Sequence, residues 1–166
     1  MNQRTTPQES QTATAYHEAG HAVMAFVVGR PVEKVTICPA QLQTGGFRLG
    51  ACKVQKGRSR ASKDALEDEV LILLAGMVAE SQFTDRYCAA GAAQDLRAVR
   101  RLLANRASSE RQIDRLAGRM LDKTQHVLND PVNRRAVTLV ARQLLDKETI
   151  SGRAVRQLFQ EASAGT

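Results

Sequence analysis

The sequence predicts a mainly α domain, α+β in class, with five to six helices and a small sheet of two to three strands between the first and second helices. Three observations predict it. Apolar residues recur at three-to-four spacing through several segments too long to be strands, which is the period of a helix with one buried face. Aromatics make up only 4% of the 166 residues and tryptophan is absent, so an Ala/Leu/Val interior suits the composition better than a β-sandwich. Between residues 31 and 54 the helical period gives way to the β-branched Val35-Thr36-Ile37, a Thr44-Gly45-Gly46 turn signal and the alternating Phe47-Arg48-Leu49.

Residues 1–11 are polar and aperiodic, and read as a flexible tail ahead of a single domain over 12–166. A first helix runs from Thr12 to Val28, its apolar face built from Ala15, Ala19, Ala22, Val23, Phe26 and Val27; Gly29 and Arg30-Pro31 stop it. Gly20 is unfavourable inside a helix, and predicts that a backbone or a substrate passes close by. In the strand region, Cys38 to Gln43 reads as a loop and Lys53 to Arg60, basic and short of hydrophobic anchors, as a mobile one. A second helix follows from an N-cap at Ser62 to Phe83, strongly apolar, with Leu66, Val70, Leu73, Leu74, Met77 and Val78 toward the core and Gly76 marking a close helix contact. After a connector over 84–91, helices are predicted over 93–107, with Asp95 in the first turn, and over 109–128. A fifth helix is capped by Asp130 with Pro131 at its first position and runs to Lys147; a short sixth follows Ser151 and ends near Ala162.

Composition narrows the function classes. The net charge is +7, and Arg97, Arg100, Arg101, Arg106, Arg111, Arg115 and Arg119 meet only Glu110 and Asp114 in their own segment. Such a cluster reads first as the solvated face of two helices; an acidic partner, a membrane surface or a nucleic acid are its other uses. Scarce aromatics and the lack of a recognised binding motif weigh against nucleic acid. Cys38, Cys52 and Cys88 are odd in number and lack C-x-x-C spacing, which fits reduced thiols and a cytoplasmic protein. No membrane span is expected, because the longest apolar run, Ala19 to Val28, is about half of what a bilayer requires.

Chemistry concentrates at His17-Glu18-Ala19-Gly20-His21, an H-E-x-x-H pattern inside the first predicted helix. Residues four apart on a helix share a face, so both imidazoles can reach one metal ion while Glu18 projects beside them. A catalytic zinc takes three protein ligands and keeps a fourth position for water, so a further ligand is needed. His126, a lone histidine late in the fourth helix, reads as structural or surface; Glu80, Asp95 and Cys88 are the other chemically suitable groups. Taken alone, Asp95 reads first as a helix N-terminal carboxylate satisfied by backbone amides and the helix dipole.

The chain resembles the peptidase domain of the FtsH-type ATP-dependent zinc metalloproteases. Ala13 to Val23 is similar to that family's zinc helix, Val35-Thr36-Ile37 with Pro39 to its strand and turn, and Leu74-Ala75-Gly76-Met77-Val78-Ala79-Glu80 to its G-x-x-A-E segment. Gly91-Ala92-Ala93-Gln94-Asp95-Leu96 resembles its G-A-x-x-D-[LI] segment, and Leu144-Leu145 with Glu148-Thr149-Ile150 resembles the end of the domain. The resemblance spans residues 12 to 160. It implies Zn2+ held by His17, His21 and Asp95, Glu18 as general base, and Glu80 in a supporting role. The implied function is a zinc metalloendopeptidase acting on unfolded or flexible polypeptides. No G-x-x-x-x-G-K-[ST] loop occurs, so the expectation is a peptidase without its own ATPase motor, with a separate ATPase a candidate partner and a homo-oligomer a candidate assembly. The alternatives are a weakly active or inactive peptidase-like scaffold that binds polypeptide or an ATPase, and, last, a basic nucleic-acid-binding protein. Tyr16 is the sole suggestion for an oxyanion donor.

Overall fold

The computed structural model describes residues 7–41, 43, 47–55, 57, 58, 60–86 and 89–165. Among these residues the elements are α1 (Pro7–Val27), β1 (Val32–Thr36), β2 (Ala40–Gln41), β3 (Phe47–Arg48), β4 (Ala51–Val54), α2 (Ala65–Thr84), α3 (Ala89–Leu103), α4 (Glu110–Asn129), α5 (Pro131–Lys147), β5 (Thr149–Ser151) and α6 (Gly152–Ala164). The predicted fold class holds: six helices around a small antiparallel sheet.

Several boundaries move for local reasons. Helix α1 begins at Pro7, inside the stretch expected to be a tail. Proline suits a first helical position, where its missing N–H would go unpaired anyway, and Thr12 and Thr14 turn their hydroxyls back onto the carbonyls of Gln8 and Ser10. At the other end Gly29 takes φ +80° and its amide, with that of Arg30, closes onto the carbonyls of Phe26 and Ala25. The cap of α2 is Asp64 rather than Ser62: an Asp64 side-chain oxygen accepts the Glu67 N–H at 3.0 Å, while the Ser62 hydroxyl accepts the Asp64 N–H and donates to Asp68. Helix α3 starts four residues earlier than expected, which puts Asp95 in its second turn and removes the reading of Asp95 as an N-terminal cap. The cap at Asp130 stands where the sequence places it, and Ser109 and Ser151 cap α4 and α6, each of the three side chains accepting backbone amides of the following turn.

The sheet departs further. Strand β1 is central in the order β4-β1-β5, with Val35 opposite Cys52 on one side and Ile150 on the other. The third strand therefore comes from beyond α5, not from between the first two helices. Three residues are too short to show alternation, and tertiary pairing alone makes β5 a strand. Ala40 and Gln41, expected in a loop, pair with Arg48 and Phe47, and Lys53 and Val54, expected in a mobile loop, belong to β4. The Thr44-Gly45-Gly46 turn lies outside the described residues.

Helix α2 is buried nearly all round, and its two sides serve two cores. Leu71, Ile72, Ala75, Val78 and Ala79 join α1, α5, α6 and the sheet, while Val70 and Leu74 pack with Val99 and Leu103 of α3 and Ile113 of α4. The approach of α1 to α2 is close at Gly20, where an added Cβ would stand 2.4 Å from the Ala75 carbonyl oxygen and 2.6 Å from the Ala79 Cβ. That is the close backbone the glycine predicts. No described helix is long and apolar enough to cross a membrane.

Since a backbone carbonyl cannot yield as a side chain can, Gly20→Ala should destabilise the fold by about 1–2 kcal/mol even though alanine is the better helix former. Urea unfolding monitored by circular dichroism checks this; an unchanged or raised midpoint would contradict the packing described.

Candidate metal centre

The α1–α2 crossing aligns two stripes. On α1, His17 and His21 lie one turn apart with ring centroids 4.7 Å from each other and an interplanar angle of 79°. On α2, Ile72, Gly76 and Glu80 follow at four-residue steps and run antiparallel to them. Each meets a histidine. His21 Nδ1 lies 2.7 Å from the Ile72 carbonyl oxygen and His17 Nδ1 lies 3.0 Å from Glu80 Oε2. Between them Gly76 leaves the space the rings occupy, since a Cβ there would stand 2.5 Å from His21 Nε2 and 2.7 Å from His17 Nε2.

Those outer contacts decide the tautomer. A carbonyl only accepts, so His21 Nδ1 carries the hydrogen and its Nε2, when neutral, presents a lone pair; the Glu80 carboxylate orders His17 in the same way. Both Nε2 atoms converge on Asp95 Oδ2, at 3.1 Å from His17 and 3.4 Å from His21. Asp95 comes from α3, where it lies three residues after Ala92 and four before Val99, both fully buried, so its side chain shares the inward face. Two imidazole lone pairs and a carboxylate at this range repel unless a proton or a cation sits among them.

The protonation of the cluster follows. Burial works against a charge on His17, but the hydrogen bonds to Asp95 and Glu80 and the charge of Glu18 outweigh it and raise the imidazole to about 10. Burial also opposes charge on Asp95, and the hydrogen bonds from His17 and His21 overcome it, holding the carboxyl well below the usual carboxylate range. A divalent cation would take the place of that proton. Tetrahedral zinc with ligands at about 2.0–2.1 Å separates them by about 3.3–3.4 Å, so the donor set fits, as do the two distances to Asp95. His17, His21 and Asp95 each offer one ligand atom, all lying within 4.8 Å of one another.

Glu18 stands beside this cluster without joining it. It is 6% exposed, and Gly50, just ahead of β4, gives it room: a Cβ there would lie 2.8 Å from Glu18 Oε1. Burial pushes its carboxyl up, with the charges of His21 and His17 pulling against the shift. The three histidine-motif residues and Asp95 open onto a cleft of about 1090 Å³, whose far wall is Arg48 to Val54. Cys52 lies on that wall with its thiol pushed up by burial and by the charge of Glu18.

The remaining candidates separate from the site. Glu80 meets His17 at Nδ1, the side away from Asp95, Cys88 lies outside the described residues, and His126 is exposed on α4 and absent from the cleft lining. Tyr16, offered as an oxyanion donor, instead stacks on Phe83 with centroids 4.4 Å apart, and does not line the cleft. Sequence reasoning missed two contributors, Gly50 and the Ile72 carbonyl; the close helix contact it expected at Gly76 is present, and the two imidazoles of α1 are what fill the space. A glycine inside an otherwise strong helix former was the available signal for Gly76; a backbone carbonyl leaves none.

Gly76→Ala places a methyl against both Nε2 atoms and should weaken zinc binding at least about tenfold, comparable to loss of a supporting contact around a metal ligand. Chelator competition measures this on protein shown by circular dichroism to be folded, and unaltered affinity would mean the rings lie elsewhere.

Comparison with known proteins identifies the family. Residues 4–109 match the profile of peptidase family M41. The ATP-dependent zinc metalloprotease FtsH of Protochlamydia amoebophila (strain UWE25) is 39% identical over 93 residues, covering 54% of this chain and 10% of that protein. FtsH 3 of Petrotoga mobilis (strain DSM 10674 / SJ95) is 25% identical across 95% of this chain and 30% of its own length. FtsH of Pirellula staleyi (strain ATCC 27377 / DSM 6068 / ICPB 4128) is 27% identical across 98% of this chain and 29% of its own length. The chain thus spans less than a third of the length of these relatives.

Proposed function

The chain belongs to peptidase family M41, and from that premise we propose that it is a zinc-dependent endopeptidase that hydrolyses unfolded or flexible polypeptides, with zinc held by His17, His21 and Asp95 and with Glu18 as general base. The observation that carries the reading is the convergence of both Nε2 atoms on Asp95 while both Nδ1 atoms are engaged from behind.

Zinc bound by two neutral imidazoles and a carboxylate supplies a Lewis acid for a peptide carbonyl and lets water act as a nucleophile near neutral pH. The chain's own groups do the rest. Glu18, buried and raised above its ordinary range, accepts a proton from the attacking water and returns it to the leaving amine nitrogen as the C–N bond breaks. Asp95 keeps its negative charge and offsets that of the cation. Glu80 and the Ile72 carbonyl keep the Nδ1 hydrogens in place, so the Nε2 lone pairs stay aimed inward.

An extended substrate has a seat beside these groups. Strand β4 lies at the edge of the sheet, paired only to β1 among the described strands, and its residues line the cleft opposite Glu18. A peptide adding to that edge would run past the metal with its carbonyls within reach, which folded substrates cannot do without local unfolding.

The purified protein should bind about one zinc per chain, as catalytic sites of this ligand type do. Glu18→Gln should keep the metal and lose casein cleavage, by at least about a hundredfold if general-base catalysis is its role. Asp95→Ala should lose the metal itself, whereas Glu80→Gln should keep it with affinity lowered about 10–100-fold. Elemental analysis beside a peptidase assay measures all three; a zinc-loaded wild type that cleaves no unfolded protein and matches Glu18→Gln in every assay would end the enzyme reading.

A further inference from the structure

The metal centre leaves one charged feature of the molecule unused. Helix α4 turns Ile113, Leu116, Ala117, Met120, Leu121, Thr124 and Leu128 inward. Its outer face carries Arg111, Arg115 and Arg119 at four-residue steps, with Gly118 between the last two, Asp114 on one flank and Asp122 one turn beyond, all exposed. The rest of the basic segment is partly accounted for. Arg100 bridges Glu110 and Asp114, Arg106 bridges Asp64, and Lys123 reaches Glu67. Arg111, Arg115 and Arg119 make no ion pair among the described residues.

This face is unfavourable for the helix that bears it. Like charges one turn apart repel, Arg111 sits near the positive end of the helix dipole, and glycine is among the poorest residues for a helix interior. Gly20, Gly50, Gly76 and Gly152 each make room for an atom of the chain itself, but a Cβ at Gly118 would meet nothing within 4 Å. No contact among the described residues requires this glycine.

We propose that the Arg111–Arg115–Gly118–Arg119 face of α4 is the docking surface for an acidic helix of a partner protein. Carboxylates at four-residue steps on such a helix repeat at the same rise of about 6 Å as the arginines, so the two stripes match along their length. Gly118 lets the partner backbone approach between the arginines, as Gly20 does for α2. A phosphate backbone has no use for a glycine where another arginine would serve it. A membrane surface would need apolar anchors, and the large hydrophobics exposed among the described residues, Leu49 and Leu145, are not on α4.

The test uses the full chain and a fluorescein-labelled, alanine-rich helical peptide carrying three glutamates at i, i+4 and i+8, beside a peptide of equal composition with the glutamates spread around the helix. Fluorescence anisotropy should show the striped peptide binding and weakening as salt rises, and the spread peptide binding at least about tenfold more weakly. Arg115→Glu should weaken the striped peptide at least about tenfold while leaving casein cleavage unchanged. Gly118→Leu should weaken it at least about fivefold without lowering the unfolding midpoint, since the site is exposed and leucine favours the helix. Equal binding of both peptides, indifference to Gly118→Leu, or tighter binding of a single-stranded RNA of similar length or of vesicles containing phosphatidylserine would overturn the proposal.

Discussion

The contact between α1 and α2 at Gly20 is the constraint from which the rest of the cleft follows. Only a residue without Cβ fits against the Ala75 carbonyl and the Ala79 methyl, and the fit fixes how far apart the two helices run and in what rotation. At that rotation the Ile72–Gly76–Glu80 stripe of α2 lies under the His17–His21 stripe of α1. A wider spacing would remove the acceptors from behind the imidazoles. A rotation of one residue, about 100° on a helix, would turn the stripes away from each other.

Rigidity here has a chemical purpose. A histidine free to rotate presents either nitrogen, and a carboxylate free to move chooses its own partner. In this molecule the outer nitrogens are engaged by groups of a single helix, α2, and the inner ones face a carboxylate from another, α3, so the donor set requires three helices to be in place together. Asp95 is the least buried of the cluster, with 21% of its side chain exposed, consistent with a position at the mouth of the cleft where a ligand enters. Glu18 is set apart by direction: adjacent to His17 in sequence, it leaves the helix about 100° round and faces Gly50 and the edge strand instead.

The readable and unreadable parts of the sequence divide along the range of the interactions. A cap such as Asp130-Pro131 works within one turn, and its position was legible from adjacent residues. The pairing of His17 with His21 is likewise local, because four-residue spacing on a helix has one geometric meaning. Strand β5 was not legible, since Thr149–Ser151 becomes a strand only through its pairing with β1, more than a hundred residues earlier. The same holds for the third member of the cluster. Nothing local marks Asp95 over Glu80, and it was the order of motifs resembling a known family that singled it out; the distances now explain why the two carboxylates differ, one meeting Nε2 and the other Nδ1. Gly76 lies between these cases, visible as an anomaly in a helix but mute about what fills the space.

Zinc-edge anomalous diffraction from crystals of the zinc-loaded protein tests the central claim most directly. The account requires one peak, about 2.0–2.2 Å from Nε2 of His17, Nε2 of His21 and a carboxylate oxygen of Asp95, with Glu80 still on His17 Nδ1. A peak bound by Glu80, by an Nδ1 atom or by Cys88 would contradict it.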